Sequence, residues 1–394
     1  MSKIEKNILV FMEKHIYVIA FLGVTLAGFF IRYSLRQFTS GDMVCDLLPW
    51  YNQIKEMGGF QGLGSQVGTY NMLYQCLIAI MTYLPIKPLY AYKILSCIFD
   101  YLLAVAGAWL VYDMSEKREK KLAFAAYSMI ILSPIVFINS ALWGQCDAIY
   151  TFFVFIAFIA FGREQYVKSF VLYGIALALK LQAIFLLPLF LIVYFMKKIF
   201  SVFYFAFIPI SMWIFNIPCL IMGRRISEIF TVYINQTSEY GSMSMNYPSF
   251  WVILNDASIE EGYAFYKQAA ILMTICVLAG WMFSWVINQI SLSKRSMLYM
   301  AFILVYTCVL FLPSMHERYG YVYEIFAILI FFENRKTFPL LVLIHGISLM
   351  TYGFYLHGST INLSVLAVIN LIAYGCYSFI LMRQLMNKRQ GTME

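Results

Sequence analysis

Five polar groups interrupt an otherwise apolar chain, and each holds residue types that act on hydroxyls or phosphates. The first is Asp42 with Asp46, inside Ser40-Gly-Asp-Met-Val-Cys-Asp-Leu-Leu-Pro-Trp-Tyr51. An acid placed where a membrane helix emerges is costly and points to function. Asp42 reads either as the N-cap of a following helix or as a general base that takes a proton from an acceptor hydroxyl. Asp46 lies one helical turn on and shares its face.

The second group is Trp143-Gly-Gln-Cys-Asp147. Asp147 suits a helix cap and Trp143 an aromatic belt. A flat indole beside the hydrogen-bonding groups of Gln145 and Asp147 equally suits a sugar-binding loop. The third is Lys180 with Gln182, where the lysine either snorkels to headgroups or meets a lipid phosphate. The fourth, Arg224-Arg225, binds either anionic headgroups or a phosphate of the substrate. The fifth, Met315-His-Glu-Arg-Tyr319, follows Pro313 and is the densest polar knot between two apolar runs. It is either a structural ion-pair knot or a phosphate site, with His316 and Arg318 on the leaving phosphate, Glu317 orienting them and Tyr319 alongside. Arginine suits this role because its planar fork matches phosphate oxygens.

No metal or cofactor is expected. The four His have no paired spacing, and the eight Cys sit mostly in apolar runs as small hydrophobes. Gly62-Leu-Gly64 follows no strand and is not a nucleotide fingerprint.

The chain that must position these groups has 394 residues, 62% of them hydrophobic and 12% charged, with a mean hydropathy of +0.75. A soluble domain is about half apolar and about a quarter charged. Apolar runs of helix-spanning length recur from end to end, so the expected fold class is an all-α polytopic membrane protein embedded in a lipid bilayer. The alternation of an outer-membrane barrel is missing. A net charge of +8 does not imply nucleic acid, because the basic residues form short clusters between apolar runs, the positive-inside pattern.

Placing Lys3, Lys6 and Lys14 in the cytoplasm predicts about twelve transmembrane helices with both termini inside. Residues 1–394 form one domain on this tracing. The first helix leads out to an outer segment at 34–87, where spacing predicts interfacial amphipathic helices over 43–57 and 70–84. Leu47, Leu48, Tyr51 and Ile54 share one face of the former, and a glycine-rich break at 58–68 separates the two. Glu116-Lys-Arg-Glu-Lys-Lys121 marks an inner loop. Lys168 and Lys197-Lys198 flank the run 169–196, which predicts a hairpin bent near Lys180-Leu-Gln182. A second outer segment covers 222–262, and the last helix ends at Arg383, Lys388 and Arg389. All five polar groups then fall on the outer side. Packing polars would scatter to both sides, so the one-sidedness argues for a site.

In chain order, Gly41-Asp42, Leu48-Pro-Trp-Tyr51 with Gly58-Gly59, Trp143-Gly-Gln-Cys-Asp147, Lys180-Leu-Gln182 and Met315-His-Glu-Arg-Tyr319 resemble bacterial GT-C glycosyltransferases. More narrowly, they resemble the group related to the second mannosyltransferase of GPI-anchor assembly. The resemblance covers about residues 40–320; beyond about 330 only hydropathy matches. It implies a GT-C fold and an inverting enzyme that uses a polyprenyl-phosphate-linked sugar and needs no metal. The acceptor would be a glycan or glycolipid, met at the outer face of a bacterial cytoplasmic membrane. By position, Asp42 would be the base, and Lys180, Arg318 and His316 would contact the donor phosphate. These motifs leave the donor sugar open. Two other readings fit many spans and basic residues. A lipid-linked oligosaccharide flippase predicts charges at mid-membrane depth on several helices. A surface-polysaccharide polymerase or ligase relies on outer-loop Arg and His and has less need of Asp42.

Overall fold

The computed structural model describes residues 1–115, 117–254 and 257–390, without the side chains of 8, 257, 258 and 387–390. Glu116 of the inner basic cluster, the side chains of Lys388 and Arg389, and positions 255 and 256 of the second outer segment lie outside the described residues. The fold is helical, and the chain is a multi-pass membrane protein.

Among the described residues, six helices are long and apolar enough to cross a membrane: Lys3–Leu35, Pro88–Met114, Tyr263–Ile287, Lys294–Phe311, Arg335–His357 and Leu363–Met386. A seventh arises if Lys120–Ile131 and Pro134–Trp143, bent by 45° at their break, form one span. This falls short of the expected twelve. The difference lies in shorter apolar helices, namely Asp147–Gly162, Tyr166–Leu179, Leu181–Lys197 and Val202–Phe215, together with Tyr321–Glu333. At about 1.5 Å per residue such helices do not reach the roughly 30 Å of a hydrocarbon core. Apolar runs in the sequence count segments; length decides which of them cross.

The run 169–196 does fold back on itself. Tyr166–Leu179 ends at Lys180, whose backbone is extended (φ −152°, ψ 135°). Past the break, Phe190 lies against Phe170 and Tyr173, with ring centroids 5.4 and 5.0 Å away. The Tyr173 hydroxyl donates to the Ala183 carbonyl across the bend (2.9 Å).

After the first helix a π-helical turn, Met43–Leu47, which buries Met43 and Leu47, leads into Leu48–Glu56, which buries Tyr51 and Ile54. Gly58 and Gly59 take left-handed backbone (φ 87° and 67°), so the break needs residues without a Cβ there. Met72–Thr82 departs from the expected interfacial helix. It buries Met72, Tyr74, Gln75, Cys76, Ile78, Ala79 and Met81. With so little polar surface on the helix, burial is its stable outcome.

Two contacts fix where the first helix delivers the chain. Arg32 Nε donates to Asp100 Oδ2 at 2.8 Å in a fully buried pair, and Arg32 Nη1 reaches the Gly28 and Ile131 carbonyls (3.1 and 3.0 Å). Lys93 Nζ donates to the carbonyls of Leu35, Arg36 and Phe38 (3.3, 3.1 and 2.6 Å) and so closes the helix end that precedes Ser40. Close to Asp42, β1 (Ser244–Met245) pairs in parallel with β2 (Met315–His316), and Asn246 bridges to His316. The Ser314 N–H adds a bond to the Met243 carbonyl (2.9 Å). This small joint fastens the second outer segment to the 315–319 knot.

Arg32→Leu leaves Asp100 buried without its cation, so a loss of about 3–5 kcal/mol in stability is expected. The double variant Arg32→Leu/Asp100→Leu should recover most of it. Thermal unfolding of the purified variants in detergent checks both.

Candidate active site

Asp42 follows the turn that Lys93 closes, and Ser40 does the local capping. The Ser40 hydroxyl accepts from the Met43 N–H (3.2 Å) and donates to the Trp143 carbonyl (3.0 Å). Asp42 makes no side-chain cap hydrogen bond. Its Oδ2 instead accepts from Trp143 Nε1 (3.1 Å) and Gln145 Nε2 (2.5 Å), and its Oδ1 accepts from the Tyr355 hydroxyl. Arg318 Nη1 lies 3.6 Å from the same Oδ2. The indole and the amide reach one oxygen because Gly144 between them has φ +84°, where an added Cβ would come within 2.4 Å of Met43 Cε.

Asp147 opens the helix Asp147–Gly162 and is fully buried. Its Oδ1 accepts from Lys180 Nζ at 2.5 Å, its Oδ2 accepts from Asn139 Nδ2 at 2.9 Å, and Arg318 Nε lies 3.6 Å away. Lys180 does not snorkel. Only 2% exposed, it sits 5.4–5.6 Å from the ring centroids of Tyr70, Tyr150 and Tyr319. Arg318 completes the constellation: Nη1 donates to Glu317 Oε1 (2.8 Å), and the guanidinium lies 5.4 Å from the Trp143 ring centroid.

Burial governs the ionisation of the surrounding groups. It raises the Glu317 carboxyl above its ordinary value, against the pull of Arg318. Burial, then the charge of Asp42, raises Asp46; burial, then Asp46, raises Glu239. His316 goes the other way. Burial, then Arg318 and Lys180, hold its imidazole down to about 2, so it is a neutral ring beside two cations. That ring packs on Tyr240 and Tyr319, with centroids 4.9 and 5.0 Å away.

Asp42, Asp46, Gln145 and Arg318 line a polar cavity of about 60 Å³, together with Trp50 and Glu239. Gln236, Tyr240 and Tyr319 wall both this cavity and an adjoining apolar groove of about 310 Å³. The groove runs past Leu181, Ile184, Phe185 and Ile271, and it includes Gln182. The groove reaches the size range of small-ligand sites, whereas the polar cavity is several times smaller.

Most of the sequence-selected residues therefore meet. Asp42, Asp46, Trp143, Gln145, Asp147, Lys180, Glu317, Arg318 and Tyr319 form one cluster, with His316 beside Glu317 and Gln182 on the groove wall. Arg224 and Arg225 do not join it. Arg224 is buried on Glu228 (2.5 Å), Gln66 (2.8 Å) and Gln75 (3.4 Å), where it ties the glycine-rich break to Met72–Thr82. Arg225 is exposed. Tyr355 is the unannounced member, one of thirty tyrosines at the end of an apolar helix. Asn139 did carry a signal as a polar residue inside an apolar run. Among the described residues no group of three or more His, Cys, Asp or Glu side chains is arranged to hold a metal ion.

Among known proteins, the family model for glycosyltransferase family 87 matches residues 69–313. The matched range holds Trp143–Asp147, Lys180 and Gln182, but neither Asp42 nor residues 315–319. The narrower relation to the second mannosyltransferase of GPI-anchor assembly is not carried by this match. No curated protein matches the chain at a significant level.

The low value of His316 has a sign that can be measured. The folded protein keeps it neutral to about pH 2, whereas an unfolded chain protonates it below about 6.5. Acid then favours the unfolded state by about 1.4 kcal/mol per pH unit below that value. His316→Gln should therefore lose less Tm than the parent between about pH 6.5 and about pH 4.5. Equal acid slopes in the two proteins would mean that the folded state protonates this ring.

Proposed function

The chain belongs to glycosyltransferase family 87, and on that premise we propose that it moves a sugar from a polyprenyl-phosphate carrier to an acceptor hydroxyl, inverting the anomeric centre. The observation that carries this reading is the Asp42 carboxylate, held by Trp143, Gln145 and Tyr355 at the edge of a polar cavity that opens into an apolar groove. A lipid-linked donor has that same two-part shape. A nucleotide sugar would have no use for an apolar groove.

In this reading Asp42 takes the proton of the acceptor hydroxyl as its oxygen attacks the anomeric carbon. The bond from that carbon to the phosphate oxygen breaks on the opposite side, and the electron pair leaves with the phosphate. Three donors fix where the carboxylate lone pairs point, which is what a base needs in order to meet a bound hydroxyl. Trp143 and Gln145 therefore act as positioning residues for Asp42, and Arg318 joins the base to Asp147 and Glu317.

The same reading assigns a GT-C fold and an active site on the outer face of a bacterial cytoplasmic membrane, with both termini in the cytoplasm. The basic clusters on the opposite ends of the helices support that orientation. A glycan or glycolipid is the acceptor. Membership of a glycosyltransferase family sets the flippase reading aside. A surface-polysaccharide polymerase or ligase is itself a glycosyltransferase, and dependence on Asp42 separates it from the present proposal.

Asp42→Asn keeps the shape and removes the base, so transfer should fall by about 10²–10⁴-fold. A deletion strain carrying this variant should lack the same sugar as the deletion itself when lipid intermediates and glycans are profiled by mass spectrometry. A normal profile, with the variant present in membranes at the parent's level, would sink the assignment of the base.

A further inference from the structure

The two cations that meet in the cluster, Lys180 and Arg318, are already matched by carboxylates. Arg318 lies within ion-pair reach of Asp42, Asp147 and Glu317, and Lys180 within reach of Asp147. Two positive charges thus face three carboxylates, with Asp46 and Glu239 on the same cavity wall. His316 adds no charge, since its ring stays neutral beside Lys180 and Arg318. A donor phosphate entering this cluster would have to displace a carboxylate from Lys180 or Arg318 to bind either one. Some other cation must receive it.

Resting on the donor class proposed above, we propose that Lys267 is the phosphate anchor of the lipid-linked donor. Lys267 is the one cation among the residues lining the apolar groove. Its ammonium donates to the Thr237 carbonyl and lies 5.8 Å from the Tyr263 ring centroid. Among the described residues it has no carboxylate partner, and it stands where a lipid chain would lie. A carbonyl is a weaker partner for ammonium than a phosphate oxygen, and the exchange favours the anion.

The groove wall carries the complementary half of the argument. Among the described residues the buried side-chain oxygens of Gln182 and Gln236 have no hydrogen-bond donor. Gln236 stands on the wall shared with the cavity of Asp42. Two unmatched acceptors in that position suit the hydroxyls of a sugar held between the base and the anchor. When the bond from the anomeric carbon to the phosphate oxygen breaks, its electron pair goes to that oxygen. The Lys267 ammonium hydrogen-bonds the charge formed, while the hydroxyl proton goes to Asp42.

The test measures binding of undecaprenyl phosphate and of undecaprenol, its uncharged alcohol, to the full-length purified protein in nanodiscs by native mass spectrometry. The parent should prefer the phosphate by about tenfold or more, the scale of one charge-assisted hydrogen bond. Lys267→Met should abolish that preference without changing the binding of undecaprenol, and Lys267→Arg should keep it. Lys267→Gln replaces the methionine variant if that one does not fold. A full preference retained in Lys267→Met or Lys267→Gln overturns the role of Lys267 and leaves the donor class standing. Loss in Lys267→Arg as well also counts against it, because a retained charge should retain the preference. A parent that does not distinguish phosphate from alcohol overturns the donor class itself, and the anchor with it.

Discussion

One guanidinium shared by three carboxylates holds the site together. Arg318 meets Glu317 of its own segment, Asp42 from the segment after the first helix, and Asp147 from the turn after Trp143. Asp147 and Glu317 are fully buried, and carboxylates so placed persist only with a cation and hydrogen bonds at hand. Arg318 supplies the cation to all three, and its face rests against Trp143. Residues far apart in the chain thereby act as a single coupled unit, in which no one pair has an energy of its own.

Around that unit the structure divides into a framework and a cover. Arg32–Asp100 and the closure of the first helix by Lys93 fix the framework side, from which Ser40 and Asp42 are presented. Ser140 also donates to Asp100, which brings the turn holding Trp143 onto the same support. The cover comes from the segment 222–262, which contributes Gln236, Glu239 and Tyr240 to the cavity. The boundary between polar cavity and apolar groove falls on this cover and on Tyr319.

Much of the cluster was legible in the sequence because an apolar chain makes its charges conspicuous. Asp42, Asp147, Lys180 and Arg318 stood out for that reason, and basic flanks alone marked the bend at Lys180. Tyr355 did not stand out, because tyrosine at a helix end is ordinary in a membrane protein and its direction depends on tertiary packing. Arg224 misled for the opposite reason. Its charge suggests a ligand, but two glutamines and a glutamate that do not line the cavity take it up. The number of spans was not legible either, since hydropathy marks apolar runs and breaks such as that at Lys180 decide their length. Lys267 was hidden by position, as a single cation at the start of a long apolar helix.

The joint between β1 and β2 is only two residues long on each strand, yet it is where the second outer segment meets the knot that carries Arg318. The same segment is also tied down by Arg224 on Gln66 and Gln75, Tyr247 on Tyr323 and Trp251 on the Phe311 carbonyl, so only the residues between these ties can change while the Asp42 cradle stays unaltered. Diversification among relatives would then concentrate on what the cover admits, and the reaction beneath it would be inherited unchanged.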